Sequence, residues 1–280
     1  MIKKREGKKI LQRNHILIPL LLAAICLFIS CSEKLDTTTP SPNAPIEGKI
    51  IFEVHEGHEE YNCEPSIMLS MATEKIYPCC NNRIVFDISL RENNISVQLL
   101  GIHIPDNCLT ALGRARSEKF LNIHEGVYRL NFLYEFFMDE YLLIVTDSSI
   151  EVIKKKYQFT VPEFEVFWRY PPNSFVYLCG TKTETSWICQ DFLNTLLIEI
   201  DLQEFQFPDY GEICYSRSSM GHYYDMPARY FLYDREEDFD RAGEILEEYT
   251  KSVIVNYSGV SVWLTNWKDK AYGSWLFDSD

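Results

Sequence analysis

The sequence predicts two domains, an all-β sandwich followed by an α+β domain. Two observations predict it: apolar residues recur at every second position between Lys49 and Lys155, while all five tryptophans and two segments of helical period lie beyond Tyr157. Ile50 to His55 opens the alternating region. Ile84, Phe86, Ile88 and Leu90 share one strand face, with Asp87, Ser89 and Arg91 on the other, and Glu92-Asn93-Asn94 turns the chain into Ile95, Val97 and Leu99, which reads as a hairpin. Val127 to Tyr134, Tyr141 to Thr146 and Ile150 to Ile153 are further strands between polar or glycine-containing breaks, a spacing that suits a sandwich. In the second region, strand-like Phe175 to Cys179 precedes a helix from Trp187 to Leu197, where Ile188, Phe192 and Leu196 repeat every four residues. A second helix takes Asp238 as its cap. Its apolar stripe is Phe239, Ala242, Ile245 or Leu246, and Tyr249, with Asp240, Glu244, Glu247 and Glu248 outside. Val253 to Tyr257 and Val260 to Leu264, joined at Ser258-Gly259, read as a closing hairpin. The domains run over 48–156 and 157–280.

Ahead of them, Lys3, Lys4, Arg5, Lys8, Lys9 and Arg13 precede an unbroken apolar run from Ile16 to Ile29, the order of a secretory signal over residues 1–30. A spanning helix needs about 20 predominantly apolar residues, and this run ends sooner, so removal is expected rather than permanent insertion. Leu27-Phe28-Ile29-Ser30-Cys31 resembles the lipobox of bacterial lipoproteins, with Phe28 where that family usually has Leu. The resemblance implies acylation of Cys31, attachment to the membrane through that residue, and a Gram-negative envelope location; Ser32 after the cysteine resembles an outer-membrane address, on either face. Two or more acyl chains suffice for stable anchoring. Residues 31–47 then form anchor and tether, since Thr37 to Pro45 is polar and proline-rich.

The tract Gly126-Val127-Tyr128-Arg129-Leu130-Asn131-Phe132, leading into Tyr141-Leu142-Leu143-Ile144-Val145, resembles the late strands of immunoglobulin-like bacterial surface modules. It covers under a third of the first domain and implies an immunoglobulin-like sandwich, with nothing about ligand.

The formal charge of −14 becomes −19 once the signal's six basic residues and one acidic residue are removed. That excess argues against nucleic acid and against electrostatic adsorption to anionic lipid. Of nine cysteines, Cys26 and Cys31 fall in the signal and at the anchor, which leaves seven for an oxidising compartment, with at least one unpaired. Cys179 and Cys189 bracket the polar turn Gly180 to Ser186 and are the expected disulfide; the alternative is that all seven are small buried hydrophobes.

Chemistry-bearing patterns are few. In His55-Glu56-Gly57-His58-Glu59-Glu60 the histidines stand three apart, where a zincin helix needs four, so a solvated acidic turn is expected and no metal or other cofactor. Asp234 to Asp240 gathers carboxylates without the alternating ligands and glycine of a calcium loop, and suits a helix N-terminus instead. The irregular stretch Pro208 to Pro227 holds Arg217, His222, Tyr223 and Tyr224, a candidate binding loop; its Ser, His and Asp lack a nucleophile elbow. Trp263, Trp267, Tyr272 and Trp275, with Asn266, Asp269 and Asp278 beside them, either close a core or interdomain seam or offer flat faces to sugar rings. The expected function is a non-enzymatic envelope module that binds a partner protein or a glycan. An envelope hydrolase acting on polysaccharide or another polymer is the alternative, and a structural or assembly subunit a third.

Overall fold

A strand with one apolar face must bury that face, and eight consecutive strands bury theirs against one another: β1 (Ile50–Gly57), β2 (Ser66–Tyr77), β3 (Arg83–Arg91), β4 (Asn94–His103), β5 (Gly113–Phe120), β6 (Gly126–Tyr134), β7 (Phe137–Val145) and β8 (Ser149–Lys156). The computed structural model describes residues 43–218 and 224–277. The signal segment 1–30, Cys31 and the tether as far as residue 42 lie outside the described residues, as do His222, Tyr223 and Asp278. The remaining elements are β9 (Thr160–Pro162), β10 (Val166–Trp168), β11 (Ser174–Thr181), α1 (Trp187–Glu199), β12 (Leu202–Phe205), β13 (Glu212–Ile213), β14 (Tyr224–Asp225), β15 (Arg229–Tyr233), α2 (Glu236–Ser252), β16 (Ser261–Asn266) and β17 (Ala271–Gly273). The protein is mostly β. Among the described residues the strands form an eleven-stranded mixed sheet, β13-β10-β8-β7-β6-β4-β3-β5-β2-β1-β9, and a second sheet, β12-β15-β11-β16-β17, with β14 also on β11. No helix among the described residues is long and apolar enough to cross a membrane.

The large sheet curls around its own core. β9 pairs in parallel with β1, and β10, three residues further on, pairs antiparallel with β8, so one short segment ties the two flanks together. Glu163 N donates to Phe52 O at 2.7 Å and Val152 N to Glu165 O at 2.8 Å within that crossing. Backbone groups that open edges would leave unpaired are thereby paired. Inside, the rings of Phe52 and Phe132 lie 4.6 Å apart and those of Phe52 and Tyr141 5.0 Å apart, all fully buried. The β3–β4 hairpin turns as the sequence predicts, Arg91 pairing with Asn94. Residues 43–47, counted with the tether, lie against this sheet: Ala44 and Ile102 exchange backbone hydrogen bonds of 2.8 and 2.7 Å, and Ile46 N donates to the Tyr134 hydroxyl.

One carboxylate fixes the crossing. Asp139, fully buried on β7, accepts from Gln158 N (2.8 Å), Phe159 N (3.0 Å), Thr160 N (2.7 Å) and Thr160 Oγ1 (2.6 Å), while the Tyr141 hydroxyl donates to Thr160 O at 2.8 Å. A carboxylate out of water needs such donors, and each charge-assisted hydrogen bond contributes about 1.5–3 kcal/mol.

The second sheet is buried on both faces. Phe175, Tyr177, Phe231, Val262 and Leu264 meet α1 and α2, and the opposite face carries Val176, Leu178, Tyr230 and Trp263 under Tyr170, Phe207 and Tyr215. Ile188, Phe192 and Leu196 of α1 and the predicted stripe of α2 are all buried. A disulfide joins Cys179 to Cys189, tying β11 to α1, and a second joins Cys79 to Cys108 across the links that flank β3 and β4.

Two expectations are corrected. Asp238 is not the cap of α2: the helix starts at Glu236 behind Arg235, and Asp238 reaches back to accept Arg235 N at 3.0 Å and its guanidinium at 2.7 Å. The closing hairpin is not 253–257 with 260–264, because Ile254–Asn256 is a 3₁₀ turn whose Ile254 is buried, and β16 pairs with β17 instead. Beyond residue 156, β9, β10 and β13 also belong to the large sheet, and from Asn43 onward the chain groups as one compact unit.

Asp139→Ala takes the acceptor from three backbone N–H donors, of which that of Thr160 is fully buried, and is expected to lower stability by about 3 kcal/mol in urea unfolding; a loss below about 1 kcal/mol would show that the crossing holds without it. Burial, reinforced by the Asp139 carboxylate and partly offset by the Thr160 hydrogen bond, pushes the Tyr141 phenol up to about 12. Its contribution is therefore complete below the unfolded value near 10 and lost as pH rises from about 10 to about 12, which unfolding midpoints measured across that window would register.

Candidate functional site

Along β1 the residues of one parity point inward, Ile50, Phe52, Val54 and then Glu56, so the alternation that builds the strand also buries a carboxylate at its end. The Glu56 side chain is 2% exposed and meets Arg169, one residue past β10: Arg169 Nε donates to Glu56 Oε1 at 2.9 Å and Tyr170 N to Oε2 at 2.8 Å. The same guanidinium reaches Thr146 O, and Arg169 N donates to Ser148 O at 3.0 Å. Carboxylate, guanidinium and three backbone segments thus lock where the large sheet hands the chain to the second one. The expected solvated acidic turn holds for Glu59 and Glu60, which are exposed, and not for Glu56, which lies on the buried face.

Around this pair the two cores meet. Tyr170 packs edge-on to Tyr215 (ring centroids 4.8 Å apart) and to His58 (5.2 Å). His58 Nε2 donates to Trp267 O at 2.8 Å, and Trp267 N donates to Ser174 O at 2.9 Å, so the loop after β1 holds the residue after β16. Cys214 packs against both cores; burial pushes its thiol well up, and the Glu56 carboxylate adds to that, so it stays a neutral thiol. Burial likewise holds Tyr170 and Tyr215 protonated far above the usual phenol range.

A cleft of about 810 Å³ opens over the junction, walled by Trp168, Tyr170, Phe205, Phe207 and Trp267 with Pro171, Pro172 and Pro208, and edged by Glu64, Glu125 and Asp147. Trp168 is held in place by Nε1 donating to Tyr210 O at 2.6 Å. The volume falls within the roughly 300–1,000 Å³ usual for ligand clefts, and flat aromatic walls with a few charged groups at the edge suit an amphipathic ligand.

The residues singled out in sequence are divided among three places. Trp267 alone of the four aromatics lines the cleft. Trp263 and Trp275 stack on each other, 4.7 Å apart and 4° from parallel, around Gly273, where a Cβ would come within 2.7 Å of Trp263. Tyr272 faces the other side of the sheet: it lies against Gly243 of α2, with no room there for a Cβ, and donates to Asp240 Oδ1 at 2.9 Å. The four-aromatic platform is therefore not formed, because Trp263 and Leu264 are adjacent on β16 and point to opposite faces. Arg217 is exposed and donates to Gly211 O at 3.0 Å; Tyr224 pairs through its backbone with Thr181. The Pro208 to Pro227 stretch is partly anchored rather than open, with β13 on β10 and Tyr215 fully packed. Among the described residues no group of three or more His, Cys, Asp or Glu is placed to hold a metal ion. Trp168, Arg169, Tyr170, Phe205 and Phe207 were missed, although Glu56 was legible as the fourth inward position of an alternating strand.

No protein family, curated protein or solved structure matches this chain.

Glu56→Ala leaves a guanidinium without its carboxylate and is expected to cost about 3–5 kcal/mol, with Glu56→Ala plus Arg169→Ala costing less than the sum of the two. The Cys214 thiol reports the same event, since loosening the junction should make it reactive to a soluble maleimide; unchanged labelling together with unchanged stability would remove the pair from its structural role.

Proposed function

We propose that this chain is a non-enzymatic envelope lipoprotein, anchored in the outer membrane by acyl chains on Cys31, whose junction cleft binds a partner protein or a glycan. The observation that carries it is the aromatic-walled cleft held open by the Glu56–Arg169 pair. Two disulfides favour an oxidising compartment, in line with export. In this reading the curled sheet serves as an immunoglobulin-like sandwich module, and the second sheet with its helices as a separate α+β module. Ligand sites commonly form at such junctions.

The hydrolase reading has one observation in its favour: Glu64, Glu125 and Asp147 edge the same cleft. Glycoside hydrolysis requires two carboxyl groups facing each other about 5–9.5 Å apart across the bond to be cut.

The test is titration against an array of envelope and host glycans and against extracted envelope proteins. Trp267→Ala and Trp168→Ala should each weaken binding about tenfold or more, as aromatic anchors do, while Trp275→Ala leaves it unchanged. Equal effects of all three, or none, would count against the cleft. Polymer cleavage lost in Glu125→Gln or Asp147→Asn would replace this reading with the enzymatic one.

A further inference from the structure

The end of the curled sheet opposite the cleft carries a second surface. Tyr77 of β2, Arg83 of β3, His103 of β4 and Gly113 of β5 all lie at this end, and so does the β6–β7 turn, because β6 runs parallel to β4 with Leu133 beside Gln98. Large apolar side chains project from it into solvent: Phe136 at the β6–β7 turn is 99% exposed, Leu112 80%, Leu109 60% and Ile76 57%. These leucines do not hang on a slack loop. The link from β4 to β5 is pinned to the segment after β2 by the Cys79–Cys108 disulfide, by Cys80 N donating to Leu109 O (3.3 Å), and by Asn81, which donates to Asn107 O (2.7 Å) and accepts from Leu109 N (3.1 Å). Apolar groups held out in water by a braced loop mark a contact surface, since an unbraced loop would turn them inward.

Cations rim it. His103, Arg83 and Arg116 stand directly opposite one another on β4, β3 and β5, on the outward face, and Arg114 is two residues from Arg116 on the same side. Like charges in register oppose sheet formation. Among the described residues none of these three guanidiniums has a carboxylate ion pair, although Glu53, Glu118 and Glu163 line the same groove as Arg114 and Arg116, and Glu74, Asp106 and Glu135 are exposed at this end, which leaves it near neutral in a strongly acidic chain. In a chain this acidic, a local basic row beside exposed leucines has the composition of a surface that meets phosphate headgroups and acyl chains together. The net charge, which argues against adsorption, averages over this patch.

The chain joins the sheet at the same end, where Ala44 pairs with Ile102, the neighbour of His103. Cys31 lies twelve residues before Asn43, and twelve residues span at most about 40 Å. We infer that this end of the curled sheet docks on the headgroup layer of an anionic membrane, placing the cleft on the side away from the bilayer. Which bilayer it meets rests on the lipoprotein reading above.

Two exposed thiols make the test. Cys80 sits in the braced end and Cys63 in the loop at the other end of the twelve-residue β2. The acylated protein is reconstituted in vesicles of phosphatidylcholine alone or with one third phosphatidylglycerol, and both thiols are labelled with a bulky impermeant maleimide. Cys80 should react at least about tenfold more slowly on the mixed vesicles, with Cys63 unchanged. Protection should be lost at about 1 M salt, where the screening length is about 3 Å, and in the Arg83→Gln, Arg114→Gln, Arg116→Gln variant. Cys214 must stay unlabelled as proof of folding; should the triple variant expose it, Leu112→Ser with Phe136→Ser is used instead. Equal Cys80 rates on both vesicles, or protection of Cys63 alike, overturns the inference. Failure to float with phosphatidylcholine vesicles at about 1 M salt instead overturns the anchor, and the docking surface is then read by adding the same protein to the mixed vesicles.

Discussion

A buried carboxylate facing a guanidinium sets the relation between the two halves of this protein. Glu56 is the last inward residue of β1 and Arg169 the first residue after β10; the carboxylate is buried and the guanidinium partly so. An ion pair in that position adds little stability over an apolar substitute, but it tolerates only one geometry. With Tyr170 N on the second carboxylate oxygen, it dictates how the chain turns from the curled sheet into the second one. Part of the cleft wall hangs from that turn, Tyr170 and its prolines directly and Trp267 through His58, while Phe207 packs on the second sheet.

Asp139 does for the curl what Glu56 does for the junction. In both places a few charge-assisted hydrogen bonds decide which segments meet, while the bulk of the stabilisation comes from apolar area that would be content in several arrangements. Aromatic packing fills the space so defined, as in the Phe52, Phe132 and Tyr141 cluster and the pile of Phe175, Phe231 and Phe239 under α2.

The curled sheet therefore has two unlike ends. One receives the second sheet through polar locks and presents an acidic, aromatic cleft; the other is braced by a disulfide and presents leucines, phenylalanine and arginines beside the point where the chain joins it. Strands of eight to twelve residues hold the two ends apart, roughly 25–40 Å at about 3.3 Å per residue.

Local periodicity was sufficient for the β3–β4 hairpin, the strands from Val127 onward, the buried stripes of both helices, and the pairing of Cys179 with Cys189, since each depends on residues within a few positions of one another. It was nearly sufficient for Glu56, whose parity along β1 was visible while its neighbours Gly57 and His58 suggested a solvated turn. Other features carried no local signal. β9 and β10 are three residues long, too short to show a period; that β4 lies beside β6, or Arg83 beside Arg116, depends on how intervening chain closes; and Trp263, Trp267, Tyr272 and Trp275 were assembled by adjacency in sequence when strand alternation sends them to different faces. Which residues prefer strand or helix is settled by their own side chains and near neighbours. Which edges meet is settled by a handful of buried polar groups finding donors from far along the chain, and only the folded structure brings those together.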